Sequence, residues 1–152
     1  MADLSALLNA IATEAQARAG TDNTQLMTPL RTAQAIGSLS IFTKEYVSAE
    51  QVITAGGLLT IAHGLGAEPK DVKFFLVCKT AELGYSVGDK LPWGDNQVTG
   101  STARDGGLQS KVDATNIYVR YGSSQSLLMN WSTGSYATFT NAYWRLIVKA
   151  WA

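Results

Sequence analysis

The stretch VKFFLVCK, residues 72–79, places Val72, Phe74, Leu76 and Cys78 on one side of an extended chain and Phe75 and Val77 on the other, because successive side chains of a strand point to opposite faces. Both faces are apolar, so both must be covered. The segment is therefore either a central strand of a sandwich or a strand whose outer face lies at a subunit interface.

Working outward, the same vocabulary of Val, Thr, Tyr, Trp and Gly fills the chain after residue 40, which marks strands and tight turns. WRLIVKAW, residues 144–151, alternates Trp144, Leu146, Val148 and Ala150 against Arg145, Ile147, Lys149 and Trp151. NIYVRY, residues 116–121, turns Ile117, Val119 and Tyr121 inward and Tyr118 and Arg120 outward. Leu108–Val112 and Leu127–Trp131 are further strands, and Gln51–Ile53 with Leu58–Ala62 flank Ala55, Gly56 and Gly57 as a predicted hairpin. Residues 80–107 read as long polar connections around one or two short strands. The expectation is a mainly β chain of six to eight strands, an antiparallel β-sandwich head preceded by a short helical, coiled-coil-like segment.

That segment is richer in Ala, Leu and Gln. The boundaries drawn are residues 1–40 for the helical part and 41–152 for the head, joined by a linker at Gly37–Tyr46. Leu4 to Ala19 contains no glycine or proline, and Gly20 can supply the left-handed residue that closes a helix. Thr28 followed by Pro29 is a helix start, since a proline at the first helical position gives up an N–H that had no intrahelical partner. A second helix is predicted from Pro29 to Ile36, stopping at Gly37. Leu4, Leu8, Ile11 and Ala15 recur at spacings of four and three, a narrow heptad-like seam. A helix of roughly 15 residues is marginal alone in water. It needs a partner, either its own domain or symmetry mates, and Leu and Ile in such a seam permit several oligomeric states.

Composition removes several classes of function. The 152 residues hold one modest domain and an appendage, and their 16% charged content is below the usual quarter. A low-charge surface suits subunit contacts. With a formal net charge of +0 and no Lys/Arg run, a phosphate-tracking face is not expected, so nucleic acid is excluded as a partner. No apolar run reaches membrane-spanning length and the N-terminus lacks the pattern of a secretory signal, so no membrane insertion is expected and the chain reads as a soluble product made in a cytoplasm. The single cysteine, Cys78, precludes an internal disulfide and an all-cysteine metal site.

Catalytic patterns are missing too. There is no GxSxG, no paired-histidine metal spacing and no Walker-type loop. His63, the one histidine, reads as a strand-end residue bonding a turn carbonyl, and Cys78 as a small buried apolar residue. No catalytic residue, cofactor or metal is expected. A glycosidase pair among Asp89, Asp95, Asp105 and Asp113 is not ruled out by spacing, since the two acids can come from distant segments. Aromatics give the functional hint. Tyr85, Trp93, Trp131 and Tyr136 lie in or beside predicted loops, and sugars are commonly held by stacking on such rings while groups like Asp95 and Asn96 take the hydroxyls. The same rings serve equally well in a sandwich core or a subunit interface.

Two resemblances accompany this reading. Residues 10–36, with Gly20, Thr21, Asp22, Asn23, Thr24, Met27, Thr28, Pro29, Leu30, Arg31 and Ala33 in order, resemble the AGTDNT, MTPLR, AQAI attachment segment of tailed-bacteriophage tail fibres. QVITAGGLLTIAHGLGAEPKDVKFFLVCKTAELGYSVGD (51–89) and the closing WRLIVKAWA are similar to a C-terminal module of such fibres and, over fewer features, to the H-type lectin sandwich. The resemblance implies a homotrimeric virion protein, assembled through Leu4, Leu8, Ile11 and Ala15. Through residues 1–40 it would join other tail or baseplate proteins, and through its head it would bind a host-surface glycan. A head or collar decoration fibre, a small glycan hydrolase and a secreted lectin are the alternatives.

Overall fold

A computed structural model describes residues 11–22, 24–94, 107–123 and 127–152. Among these residues the strands in chain order are β1 (Glu45–Val47), β2 (Gln51–Val52), β3 (Leu58–Ala62), β4 (Asp71–Cys78), β5 (Lys90–Trp93), β6 (Leu108–Val112), β7 (Asn116–Tyr121), β8 (Leu127–Met129), β9 (Tyr136–Thr138) and β10 (Trp144–Trp151), with helices α1 (Glu14–Ala19) and α2 (Pro29–Leu39) before them. The chain divides into two compact units, Met1–Thr43 and Lys44–Ala152.

The second unit is mainly β, and its strand pairs are antiparallel. β10 and β4 pair along their whole length, from Trp144 opposite Cys78 to Trp151 opposite Asp71. β5 continues the sheet beyond β4, while β1 and β2 line the far side of β10. A three-stranded sheet runs in the order β3-β7-β6, and β8 pairs β9 as a separate ribbon. The two larger sheets share one sandwich-like core. Phe74, Leu76, Cys78, Trp144, Leu146, Val148 and Ala150 meet Ile61, Leu108, Ile117, Val119 and Tyr121 within it. The alternation in β10 sends Trp144, Leu146, Val148 and Ala150 into complete burial, with their neighbours half-buried on the other face. Burying each large side chain of this kind contributes about 1.5–3 kcal/mol, so the alternation alone selects which face turns inward.

β4 is an internal strand, with its core face covered as its residues require. On its outer face Val77 is buried and Phe75 half-buried, beside a shallow hollow of about 300 Å³ lined by Val47, Phe75, Lys90, Ile147 and Lys149.

Several expectations fail here. Residues 51–53 and 58–62 do not form a hairpin. A tight turn does occur, closed by Gly57 N–H on the Thr54 carbonyl at 2.8 Å, but β2 pairs with β10 and β3 with β7. The turn therefore carries the chain from one sheet to the other. Leu127–Trp131 ends as a strand at Met129, because Asn130 opens a turn. β1 and β9, at three residues each, are too short to show periodicity in the sequence.

In the first unit α1 is six residues long and begins at Glu14, with Ile11 to Thr13 before it outside any helix, so the expected unbroken helix up to Ala19 is interrupted there. Thr13 starts it with a capping box: its hydroxyl accepts the Gln16 amide N–H at 3.3 Å and its own amide donates to Gln16 Oε1 at 2.9 Å. Such a box satisfies two donors that a helix start leaves without partners. Ile11 lies before the cap and bridges Leu26, while Ala15 is exposed. The two do not share a helix seam, and among the described residues of this unit Ala12 and Ala17 are the buried ones. Leu4 and Leu8, the other seam residues, lie outside the described residues. Gly20 closes α1 with φ 65° as expected. α2 begins at Pro29 behind a Thr28 cap but runs through Gly37 to Leu39, where Ser40 N–H meets the Ile36 carbonyl. A glycine ends a helix only where it adopts the left-handed conformation, and Gly37 has no positive φ.

Candidate functional site

The connection between β4 and β5 folds back through a tight turn at Glu82-Leu83-Gly84-Tyr85. Leu83 has φ 55° and Gly84 φ 81°, and Tyr85 N–H closes the turn on the Glu82 carbonyl at 2.9 Å. Positive φ at both central residues is the mirror-image turn that joins strands of natural twist. For leucine that conformation costs roughly 1–2 kcal/mol, so the surroundings must hold it. Leu83 packs against the core. Glu82 Oε1 accepts the Thr140 amide at 2.9 Å and the Trp144 indole N–H. Leu83 carbonyl accepts the Trp131 amide at 2.9 Å. At Gly84 the approach is so close that a Cβ would overlap Ser132 Oγ and lie 2.9 Å from the Ser132 nitrogen.

The partner in this contact is the turn from Asn130 to Ser135. Asn130 Oδ1 accepts the Ser132 and Thr133 amides at 2.9 and 3.2 Å, and Asn130 N–H donates to the Ser135 carbonyl at 2.8 Å. Trp131 therefore has a fixed backbone, yet its side chain is 75% exposed. Behind it stands Tyr85, with ring centroids 6.1 Å apart. The Tyr85 hydroxyl donates to the Met129 carbonyl at 2.8 Å; burial, and then the Asp89 charge, push this hydroxyl above its ordinary range and keep it protonated. Gly84, Tyr85, Ser86, Asp89, Lys90, Leu91 and Trp131 together line an open cleft of about 420 Å³, a size within the roughly 300–1,000 Å³ typical of small-ligand sites. Asp89 is held by the Ser86 amide, 2.8 Å from its Oδ2. The cleft offers an aromatic wall and a rim of hydroxyl, carboxylate and ammonium, the combination that fits a sugar's apolar face and its hydroxyls. Among the described lining residues Asp89 is the single carboxylate, whereas glycoside hydrolysis ordinarily uses two.

The aromatic residues singled out in the sequence separate into different roles. Trp131 is an exposed platform, with Tyr85 as its buried support. Tyr136 is exposed on β9 opposite Met129 and does not line the cleft. Trp93 is not a loop residue at all: it ends β5, is 2% exposed, and packs edge-on against Phe139 at 5.9 Å. A sugar cannot stack on a ring that the core already covers. Phe139 in turn meets Trp144, and Trp144 meets Tyr85, so an aromatic chain links Trp93 in the core to Trp131 at the surface. Asp95 and Asn96 lie outside the described residues.

His63 behaves as its position suggests. Its Nδ1 accepts the Leu65 amide at 3.2 Å, which leaves the proton on Nε2 to donate to the Asp113 carbonyl at 3.1 Å. Cys78 is fully buried, and desolvation raises its thiol pKa. Asp89, one of the carboxylates of the sequence pattern, lines the cleft, whereas nothing in the sequence marks Glu82 and the Leu83-Gly84 turn as its support beyond the glycine preceded by a residue able to turn.

Compared with models of known protein families the chain matches none, and no curated protein matches it.

Proposed function

We propose that the protein is a bacteriophage fibre subunit whose β-sandwich head binds host-surface saccharide in the Trp131 cleft. The observation that carries the binding half is Trp131 itself, an exposed indole on a backbone pinned to a strained turn. Exposed aromatic area of that size on a rigid mount is unfavourable in water and favourable against a ligand face. With one carboxylate among the described lining residues, the cleft suits binding better than hydrolysis.

The fibre half rests on the resemblance of residues 10–36 and on the surface of the first unit. Leu26, Leu30, Ile36, Leu39, Ile41 and Phe42 are between 44% and 73% exposed there. Symmetry mates in a homotrimer, together with an anchoring tail or baseplate protein, would cover them in the virion. Three heads per fibre would raise a weak single-site affinity by avidity, on the order of a hundredfold. The test pairs two variants in phage particles. Trp131→Ala should abolish adsorption with the fibre still present, and deletion of residues 1–40 should remove the protein from the virion. Adsorption unchanged by Trp131→Ala would overturn the binding reading, and a deletion variant still incorporated would overturn the attachment reading.

A further inference from the structure

The outward face of the three-stranded sheet carries a separate cleft of about 260 Å³, lined by Leu58, Gln109, Ser110, Lys111, Tyr118 and Arg120. Register explains the grouping. Arg120 on β7 stands between Leu58 and Gln109, and Tyr118 between Thr60 and Lys111. Because Ile117, Val119 and Tyr121 enter the core, the residues between them point away from it.

Two cations line this cleft. Lys111 Nζ sits 4.8 Å from the Tyr118 ring centroid, and Arg120 Nη1 donates to the Gly56 carbonyl at 3.1 Å. Among the described residues no carboxylate lies within ion-pair distance of either. Lys111 and Arg120 are diagonal neighbours across β6 and β7, a spacing of roughly 7–8 Å that long side chains readily bridge onto one anionic group. Asp113, the carboxylate beside Tyr118, is already engaged. Its Oδ1 accepts the Thr115 amide and hydroxyl at 2.8 Å each and the Asn116 amide at 2.7 Å, and its Oδ2 accepts the Tyr118 hydroxyl at 3.0 Å. These bonds fix the Tyr118 ring and leave the cation pair to an outside anion.

We propose that this cleft binds a carboxylated sugar, a uronic acid unit of an acidic polysaccharide. The carboxylate lies between Lys111 and Arg120, the C–H face of the ring rests against Leu58 and Tyr118, and the Gln109 amide takes a hydroxyl. The chemistry of the lining selects this occupant. A nucleic acid would require a track of cations following successive phosphates, which a pair on a chain of formal net charge +0 does not provide. The proposal extends the reading of the head as a saccharide binder, but it uses residues distinct from the Trp131 cleft, so the two can fail separately.

Calorimetric titration of the full chain with trigalacturonic acid, and with the same trisaccharide after its carboxyls are reduced to alcohols, tests it. The acid form should bind, more weakly at high salt, and the reduced form at least about tenfold less well. Lys111→Gln and Arg120→Gln should each weaken the acid form by roughly tenfold, the factor of one lost charge-assisted contact. Both side chains are exposed, so melting temperatures should stay close to wild type. Trp131→Ala should leave this binding unchanged. Equal binding of the two trisaccharides, no binding of either, equally tight binding of triglutamate, or loss with Trp131→Ala in place of the cation variants would each overturn the proposal.

Discussion

Glu82 accepts the indole N–H of Trp144, joining the turn beneath the cleft to the first residue of β10. The same oxygen accepts the Thr140 amide. Glu82→Ala should therefore leave a buried indole N–H and a backbone N–H without their acceptor, at about 1–3 kcal/mol for a buried group so orphaned. Urea unfolding should show a loss of about 2–4 kcal/mol, and Glu82→Gln, which keeps an acceptor oxygen there, should recover most of it.

Trp131 and Trp93 should respond in opposite ways. Removing the exposed Trp131 ring should change stability by less than about 1 kcal/mol and abolish saccharide binding in the Trp131 cleft, leaving the Lys111–Arg120 cleft unaffected. Trp93→Ala empties a core position and should cost about 3–5 kcal/mol. Thermal melts beside binding titrations separate the two.

Gly84→Ala combines a left-handed φ of 81° with a collision at Ser132. It should destabilise the head by about 2 kcal/mol or more and weaken binding in step, because the Trp131 turn can no longer close on Leu83. A variant as stable as wild type would show that the two turns are not in contact.

Burial pushes the Tyr121 hydroxyl up to about 12 from its ordinary 10.0, and among the described residues it has no hydrogen-bond partner. A raised folded-state value means that the stability linked to this proton is fully present below pH 10 and is lost as pH rises toward 12. Tyr121→Phe should remove that alkaline loss and at neutral pH be neutral or stabilising, by up to about 1 kcal/mol. Asp113 works in the opposite direction. The Thr115 and Asn116 amides hold its carboxyl below the ordinary 3.8, so its contribution is present above pH 4 and is lost as pH falls further. Melting temperature against pH should show a flatter acid limb for Asp113→Asn.

Light scattering of the full chain and of residues 44–152 tests assembly. The full chain should scatter as a trimer, and the isolated head should fold cooperatively at a lower mass. A monomeric full chain at micromolar concentration would end the trimer reading.

What could be read from the sequence was what is encoded locally. Alternation over residues 116–121 names the buried face of β7 residue by residue, and over 144–151 it sorts β10 into its two faces, because side-chain direction in a strand repeats every second residue whatever the partner strand. Gly20 and Thr28-Pro29 marked helix ends through bonds within one turn of themselves. The Thr13–Gln16 capping box is equally local, but the apolar spacing that runs through it from Leu4 points to a longer helix. Tertiary structure decided the rest. It sent β2 and β3 to different sheets across a turn that looked like a hairpin, since pairing depends on which distant edge is free to accept a strand. It also decided which aromatics face water. Trp93 and Trp131 are the same residue type in similarly polar surroundings, but Phe139 covers one and a turn braced by Leu83 lifts the other into solvent, and burial of that kind is set by residues far away in the chain.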